Sequence, residues 1–520
     1  MAVGRFSENS KKIGVFAKTM VHIFGKKRDN RIGGSGMDIV GRKNEIAKLQ
    51  SCLNSSQSRL MVVSGRRRVG KTFLIDEAYS GRMLFRHTAQ SPEALLSEKS
   101  PAKTIMDAQI SRFLHALKRA GHACKESVKN WDEAFFELEK YVESAYAPEK
   151  NVIFLDELPW LDTPNSGFFP AFMGFWSDFV LPHKGLVLAV AGSANSWILD
   201  KLVENTGSLY KRHHCWINLL PFTLGETEEF FLRKGIRLSR YDITVLYMAF
   251  GGIPYYLDLV EKGKSVAQNL AAIFSSSPEG LDKEFDSLFR SIFSNPELMI
   301  SLVRAIGSKR SGIDKSEITR LTGLPDGGTM TDYLRALMRS GFIEAYRPFG
   351  AKTAAKRYRI IDPFTLFYLR FMEKEGPKAL SLLTGSLSSS KLNAWKGISF
   401  EVVCFQHIRQ IKKALGVEGV ISEESLYYEK GEEVGKGAQI DMLIKREDNI
   451  LNLVEAKFTS GKYAADATDQ SALNRKAEAI AAHLPKRFSI HYTLITTYGL
   501  AEGSYDSVFD NVITLDDLFQ

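Results

Sequence analysis

A glycine-rich octapeptide after a short apolar run restricts this chain to a small number of folds. Residues 65–72 read Gly-Arg-Arg-Arg-Val-Gly-Lys-Thr and follow the apolar residues 60–63. Glycines at both ends let consecutive backbone N–H groups turn inward around a phosphate chain, and the N-terminus of a following helix adds partial positive charge. The pattern predicts a strand, a phosphate-binding loop and a helix from Phe73 onward.

This loop is the predicted site of ATP and Mg²⁺. The side chain of Lys71 can reach the β- and γ-phosphates, and the Thr72 hydroxyl can bind the metal. The predicted nucleotide-binding residues of the loop are Gly65, Arg66, Arg67, Arg68, Val69, Gly70, Lys71, Thr72 and Phe73. An ordinary glycine-rich turn would leave the adjacent lysine and threonine unexplained.

A second apolar run, residues 151–155, ends in the carboxylates Asp156 and Glu157. Continuous apolar runs are typical of parallel strands that are buried on both faces, and ligands bind at the carboxyl ends of such strands. Asp156 is therefore predicted to lie beside Thr72 and to hold Mg²⁺ through water. Glu157 is predicted to polarise the attacking water. Taken alone, the segment is also compatible with a strand and a solvated acidic turn.

Three further positions are weaker candidates for the same site. Ser193, with Asn195 behind it, follows the apolar run 185–192 and can either sense the γ-phosphate or serve as a turn or helix-cap residue. Arg212 can stabilise transition-state charge, or it can be an ordinary exposed arginine. Pro254 follows a Gly-Gly pair that can end a helix, and it can start the next helix in a turn that faces adenine.

Taken together, these segments resemble the AAA-type predicted ATPases of archaea and bacteria that are related to the signal-transducing STAND class. The resemblance rests on residues 40–45, 65–72, 154–157, 192–193, 210–212 and 251–255, within about residues 37–290. It implies an ATPase core of the ASCE type with a parallel sheet, and a helical lid whose Gly-x-Pro turn contacts the base. Some relatives act as slow ATP switches.

The next segment predicts three helices and a hairpin. Helices are expected over 297–306, 315–322 and 329–340, separated by the turn signal Pro-Asp-Gly-Gly at 325–328. The order resembles a winged helix-turn-helix whose wing runs from Phe342 to Ile360. The wing is basic, as phosphate contacts would require, through Lys352, Lys356, Arg357 and Arg359. A winged helix used only for protein packing is the alternative.

Towards the C-terminus, two predicted strands are joined at Asp448-Asn449 and carry a second group of charged residues. Alternation places Glu455 and Lys457 on one face, and Asp441 on the neighbouring strand can approach Glu455. Two carboxylates and a lysine suit Mg²⁺-dependent phosphodiester hydrolysis, in which Asp441 and Glu455 hold the metal and Lys457 positions the nucleophile. A solvated hairpin with a Glu455–Lys457 ion pair is the alternative.

This arrangement resembles the PD-(D/E)xK nuclease superfamily, which has a restriction-endonuclease-like α/β fold. Asp441, Glu455 and Lys457 match its motif, and Glu401, in a helix expected to open at Ser399, matches its further acidic position. Ile440 stands where the family often has proline. The fold is also used as an inert binding module.

Composition fits a cytoplasmic multidomain α/β protein. The chain has 520 residues, and its 69 basic and 60 acidic side chains give a net charge of +9, which is compatible with DNA as a partner. Four widely spaced cysteines favour a reducing compartment. Apolar runs fall short of the length of a membrane helix. AAA-type cores often form rings, so an oligomer is compatible with the sequence.

The predicted layout has six parts: a basic leader (1–36), the phosphate-loop ATPase core (37–230), a helical lid (231–290), a winged helix (291–362), a connecting helix and linker (363–390), and a nuclease-like domain (391–520). The natural start is expected at Met1 or at Met37. The leading hypothesis is an ATPase that couples ATP to nucleic-acid binding or Mg²⁺-dependent cleavage. The alternative is an ATP switch whose C-terminal regions only bind partners or DNA.

Overall fold

A computed structural model describes residues 39–97, 104–125, 127–193, 195–204, 214–275, 281–350, 356–373, 390–429, 438–503 and 505–520. Its first helices are α1 (Lys43–Leu53), α2 (Lys71–Ala78), α3 (Pro92–Ser97), α4 (Ile105–Arg119), α5 (Trp131–Ala145), α6 (Phe168–Gly174) and α7 (Asn195–Ile198). Its first strands are β1 (Arg59–Gly65), β2 (Met83–Thr88), β3 (Val152–Asp156), β4 (Val187–Gly192) and β5 (His214–Leu219). The predicted leader and Arg212 lie outside the described residues.

These five strands form a parallel sheet in the order β2-β3-β4-β1-β5. Both faces are buried: Met61 and Phe154 belong to the apolar cluster on one side, whereas Val62 and Leu155 belong to the cluster on the other. The parallel α/β core predicted from the motifs is therefore confirmed. Because β4 lies between β1 and β3, the residue that follows β4 comes between the phosphate loop and the carboxylates that end β3.

Helices follow the sheet: α8 (Leu224–Arg233), α9 (Arg240–Phe250), α10 (Pro254–Asp258), α11 (Val266–Ile273) and α12 (Glu284–Ile292). Thr223 caps α8 and exchanges hydrogen bonds with Glu226, so α8 begins before residue 230, where the sequence placed a domain boundary. Gly251 ends α9 in a left-handed conformation (φ 68°), and Pro254 opens α10 at its first turn, as the Gly-Gly and proline pattern predicts.

The middle of the chain contains α13 (Pro296–Ile306), α14 (Lys315–Thr322) and α15 (Gly328–Arg339), and then the antiparallel hairpin of β6 (Ile343–Tyr346) and β7 (Arg357–Ile360). We call these five elements the helix–hairpin module. Their order is the one expected from the sequence. The short helix α16 (Pro363–Phe367), continued by a wider turn over Tyr368–Met372, follows the hairpin.

The C-terminal region contains α17 (Ser390–Gln406), α18 (Ile408–Ala414), β8 (Ser422–Glu429), β9 (Ala438–Arg446), β10 (Ile450–Lys457), α19 (Ala467–Ala481), β11 (Ser489–Thr496), β12 (Asn511–Thr514) and α20 (Leu515–Leu518). The sheet order is β12-β11-β10-β9-β8, antiparallel from β8 to β10 and parallel from β10 to β12. The expectation that a helix opens at Ser399 is wrong. The helix begins nine residues earlier because Lys391, Leu392, Ala394 and Lys396 favour a helix, and the single Gly397 does not interrupt it.

Aromatic rings join the helices above to the C-terminal region. The ring of Phe274, at the end of α11, lies 4.7 Å from that of Phe367 on α16, and Phe367 lies 5.2 Å from Trp395 on α17. All three side chains are buried and belong to one apolar cluster, which also includes residues of the helix–hairpin module. Among the described helices, none combines the length and apolarity that crossing a membrane requires.

Candidate active sites

The phosphate loop connects β1 to α2, and its backbone leaves little choice of residue at Gly65. A Cβ there would lie 2.4 Å from the carbonyl oxygen of Leu219. Gly70 (φ 93°) and Arg68 (φ 71°) both have left-handed backbone conformations, which turn the loop tightly into the helix. Val69 is buried beneath the loop, whereas Phe73 is 40% exposed at the start of α2.

The side chain of Lys71 is folded back against its own loop. Its Nζ donates hydrogen bonds to the carbonyl oxygens of Gly65 and Arg66 and to Oγ of Ser193, each at 3.0 Å. Burial lowers the pKa of this ammonium group, and the nearby charge of Glu157 opposes the shift. The lysine is thus held at the mouth of the loop by polar atoms that an incoming phosphate can replace.

Thr72 and Asp156 meet at the carboxyl edge of the sheet. The Thr72 hydroxyl donates to Asp156 Oδ2 at 2.9 Å. Burial, followed by repulsion from Glu157, raises the pKa of Asp156 to about 6. A hydroxyl beside a buried carboxylate is an oxygen pair that suits Mg²⁺, and a metal ion would relieve the repulsion between the two acids.

Glu157 is held by Ser193, the residue that follows β4. The Ser193 hydroxyl donates to Glu157 Oε1 at 2.7 Å, and the Ser193 N–H donates to Oε2 at 3.0 Å. Glu157 itself has a left-handed backbone (φ 51°), a costly conformation for a non-glycine residue and one that often occurs at functional sites. Lys71, Ser193 and Glu157 therefore form one polar chain at the carboxyl edge of the sheet.

The arginines of the loop differ in their surroundings. Arg66 is buried, forms an ion pair with Asp362 and stacks over the ring of Phe342. Two of its nitrogens, Nε and Nη2, have no hydrogen-bond acceptor among the described residues. Arg67 is partly exposed, and burial lowers its pKa.

Arg68 connects the loop to the helices that follow the sheet. Its guanidinium forms an ion pair with Glu284 at 2.7 Å and lies 4.0 Å from the centre of the Tyr255 ring. Pro254, the neighbour of Tyr255, is partly exposed at the first turn of α10. The turn predicted to face adenine is thus joined to the phosphate loop through Arg68 and Tyr255.

The C-terminal candidates come together from three elements. Asp441 on β9, Glu455 on β10 and Glu401 on α17 are each less than 10% exposed. Asp441 Oδ2 accepts a hydrogen bond from the N–H of Ala456 at 3.1 Å. Burial, followed by repulsion from Asp441, raises the pKa of Glu455. We call these three carboxylates the acidic cluster.

Two cations that the sequence did not single out approach the acidic cluster. Arg310, in the turn between α13 and α14, donates hydrogen bonds to Glu401 and to Asp441. Lys476 on α19 forms an ion pair with Glu455, whose other oxygen lies 3.6 Å from Nζ of Lys457. No local sequence pattern predicts that Arg310 or Lys476 contacts the acidic cluster, because each reaches it from a separate element.

The hairpin arginines do not form the free basic surface that the sequence predicted. Arg357 donates to the carbonyl oxygens of Ser311 and Gly312. Arg359 is 6% exposed, pairs with Glu344 and lies over the ring of Phe405. Both guanidinium groups pack internally because polar and aromatic partners are within reach. The prediction that Arg357 and Arg359 form a basic surface for phosphate contacts is therefore wrong. Lys356 is exposed, and Lys352 lies outside the described residues.

Residues 39–260 match a known family, the ATPase domain found predominantly in Archaea. Together with the geometry above, this match makes the first part of the chain a phosphate-loop ATPase domain. The match covers less than half of the 520 residues, and it concerns this domain alone.

Other comparisons extend further along the chain. An uncharacterized protein of Methanocaldococcus jannaschii is 24% identical over 401 residues, which are 76% of this chain and 83% of the relative. The Walker-type ATPase of Pyrococcus abyssi is 19% identical and covers 64% of this chain and 96% of its own, with a TM-score of 0.43. A STAND protein of Pyrococcus horikoshii with a tetratricopeptide repeat sensor is 13% identical. The match covers 75% of this chain and 54% of the STAND protein, with a TM-score of 0.27.

Proposed function

We propose that this protein hydrolyses ATP at the phosphate loop and uses the acidic cluster for Mg²⁺-dependent cleavage of nucleic acid. The observation that carries the proposal is the Thr72–Asp156 hydrogen bond of 2.9 Å beside the buried Lys71. It supports a metal-nucleotide site in which a hydroxyl, a carboxylate and an ammonium group are already assembled.

The residues of the phosphate loop fit a triphosphate. An anion can satisfy the buried N–H groups of Arg66 that have no acceptor among the described residues. It can also accept from the Lys71 ammonium group, which now donates to the carbonyl oxygens of Gly65 and Arg66. When bound, magnesium ATP supplies the phosphoanhydride bond that water breaks. Lys71 neutralises the phosphate charge, Thr72 and Asp156 hold the metal, and Glu157 orients the water and accepts its proton. Ser193 must release at least one Glu157 oxygen for that role.

The acidic cluster fits a divalent cation because cationic groups already stand where one would bind. Arg310 lies on Glu401 and Asp441, and Lys476 lies on Glu455. Mg²⁺ binds preferentially to carboxylate oxygens, and its proposed ligands are Asp441 and Glu455, with Glu401 nearby. When bound, the metal would supply charge neutralisation and an activated water, and Lys457 would position that water.

The helix–hairpin module is proposed to connect the two sites. Its third helix carries Arg339, which forms ion pairs with Asp200 and Glu204 of the ATPase domain. With the internal contacts of Arg357 and Arg359, this favours the protein-packing alternative for the module. Nucleic acid is then proposed to bind chiefly at the C-terminal region.

The test is an assay of phosphate release and plasmid cleavage with Mg²⁺ and ATP. We expect Lys71→Ala to lose ATP turnover and Asp441→Ala to lose cleavage while it retains turnover. Asp448→Ala, at the tip of the same hairpin and 40% exposed, is the matched control and should retain both activities. Turnover that survives Lys71→Ala, or cleavage that survives Asp441→Ala, would refute the corresponding half of the proposal.

A second function is favoured by the same cations. Because Arg310 and Lys476 neutralise the acidic cluster without any metal, the C-terminal region is also suited to be a binding module under the control of an ATP switch. This alternative would hold if the purified protein hydrolyses ATP and binds DNA but leaves plasmid intact under all conditions.

A further inference from the structure

Arg310 belongs to the helix–hairpin module but contacts two carboxylates of the C-terminal region. Its Nε lies 3.0 Å from Glu401 Oε2, and its Nη2 contacts Glu401 Oε1 and lies 3.0 Å from Asp441 Oδ1. Glu401 comes from α17 and Asp441 from β9. The two carboxylate side chains are nearly buried, whereas that of Arg310 is 40% exposed. One guanidinium thus closes the open side of a buried acidic pair.

Arg310 occupies an oxygen of a proposed metal ligand. Asp441 Oδ2 accepts from the Ala456 N–H, and Arg310 lies on the other oxygen, Oδ1. A divalent cation binds carboxylate oxygens at about 2.0 to 2.6 Å, too close for a guanidinium to keep its place beside the same atom. Arginine and metal therefore exclude each other at this position, by charge as well as by volume.

We propose that Arg310 is an internal lock, which occupies the cation position of the acidic cluster and must withdraw before the cluster takes up a divalent metal. This inference rests on the metal site assigned under the proposed function. It adds that Arg310 controls metal binding at that site, because the acidic cluster excludes metal while Arg310 occupies it.

The lock is fixed to the hairpin of its own module. Arg357 on β7 holds the carbonyl oxygens of Ser311 and Gly312, and the Tyr346 hydroxyl also donates to Ser311. Gly312 (φ 65°) passes so close to β7 that a Cβ would lie 2.2 Å from the carbonyl oxygen of Tyr358. The turn that carries Arg310 is therefore tied to the hairpin, and a movement of the module against the C-terminal region would carry Arg310 off the carboxylates.

The test measures Mn²⁺ binding to the full chain by electron paramagnetic resonance, without nucleotide. Every variant carries Asp156→Asn, so that the phosphate-loop site contributes no binding. Arg310→Ala, and Arg310→Gln as a variant of similar length, should bind Mn²⁺ about tenfold more tightly than the parent, because a competing positive charge is removed. Lys309→Ala is the matched control: Lys309 is the preceding residue, pairs with Glu317 instead and should leave the affinity unchanged.

Adding Asp441→Ala to Arg310→Ala should abolish the gain. Equal Mn²⁺ affinity in Arg310→Ala, Arg310→Gln and Lys309→Ala would overturn the lock, as would a gain that survives Asp441→Ala. If the gain is present but plasmid stays intact, the lock stands and the proposed nuclease function fails, so the two ideas are separately testable.

Discussion

Arg66 of the phosphate loop forms a buried ion pair with Asp362, the residue that caps α16. The two side chains are 6% and 1% exposed. The other oxygen of Asp362 accepts from the N–H and hydroxyl of Thr365, so this carboxylate serves the loop and the helix together. Asp362 follows β7 by two residues, and β7 holds the turn of Arg310. A continuous set of contacts therefore connects the phosphate loop to the acidic cluster.

The first prediction is that nucleotide changes metal binding at the acidic cluster through Arg66. A phosphate that accepts from Nε and Nη2 of Arg66 weakens its hold on Asp362 and loosens the hairpin. We expect a saturating non-hydrolysable ATP analogue to raise the Mn²⁺ affinity of the cluster severalfold in the parent protein and to leave it unchanged in Arg66→Ala. Electron paramagnetic resonance in the Asp156→Asn background measures this as the Mn²⁺ binding that Asp441→Ala removes, because the nucleotide phosphates bind Mn²⁺ themselves. Nucleotide saturation is confirmed for each variant. An equal rise in both proteins would rule out this route.

The second prediction concerns Glu157. Glutamine keeps one oxygen that can accept from the Ser193 N–H, and its amide NH₂ can donate to Ser193 Oγ, but it cannot accept a proton from water. Glu157→Gln should therefore bind ATP within about threefold of the parent and hydrolyse it about 10²- to 10⁴-fold more slowly, as expected for loss of a general base. Fluorescent-nucleotide titration and single-turnover phosphate release measure the two quantities. Asp162→Asn is the control. Asp162 lies five residues after Glu157, and its carboxylate accepts a hydrogen bond from Trp197. Near-normal turnover in Glu157→Gln would remove Glu157 from the mechanism.

The third prediction is a pH dependence from Asp156. The fold raises the pKa of this carboxyl to about 6 from an ordinary 3.8, chiefly by burial. Its contribution to the free energy of unfolding is therefore most favourable below pH 3.8 and is lost as the pH rises through about 6. Asp156→Asn should stabilise the nucleotide-free protein at pH 8 by on the order of 1 to 3 kcal/mol. The gain should shrink towards zero near pH 4. Denaturant unfolding at both pH values tests this, and an equal gain at both would contradict it.

The fourth prediction concerns His407, which joins the ATPase domain to the C-terminal region. Its Nε2 accepts from the N–H of Leu224 at 2.9 Å, and its Nδ1 donates to the carbonyl oxygen of Val403 at 2.8 Å. Burial lowers the pKa of this imidazole to about 4. The stability it contributes is complete above about pH 6.5, the ordinary value, and is lost as the pH falls towards 4.

Between pH 6.5 and 4, unfolding of His407→Gln should take up one proton fewer than unfolding of the parent, so its free energy of unfolding should depend less steeply on pH. At pH 7.5 the substitution should lower the free energy of unfolding by about 1 to 3 kcal/mol. Urea unfolding across this range is the measurement, and His115→Gln on the surface is the control. A pH slope identical to that of the parent would show that His407 is not held neutral in the fold.

The sequence predicts the parts of the site that depend on neighbouring residues. The phosphate loop lies within eight residues, Asp156 and Glu157 end a strand, and parallel strands share their carboxyl edge, so the approach of Thr72 to Asp156 could be foreseen. Ser193 was a candidate for the same reason, although its hold on Glu157 depends on β4 lying between β1 and β3.

The contacts between domains could not be predicted from local patterns. Arg310 and Asp441 are separated by 131 residues, and Arg66 and Asp362 by 296. Nothing in the periodicity around Arg310 distinguishes it from Lys309, which pairs within its own module. The basic character of the hairpin was visible, but the packing of Arg357 and Arg359 against internal partners depends on the tertiary fold.

The aromatic contact of Phe274 with Phe367, and of Phe367 with Trp395, also has an evolutionary consequence. A recombination event that exchanged the C-terminal region alone would leave these rings facing water unless matching rings arrived with the new region. Selection should therefore favour inheritance of the ATPase domain, the connecting helix and the C-terminal region as a set. Homologues that replace Trp395 with a small residue should carry compensating changes at the other two positions.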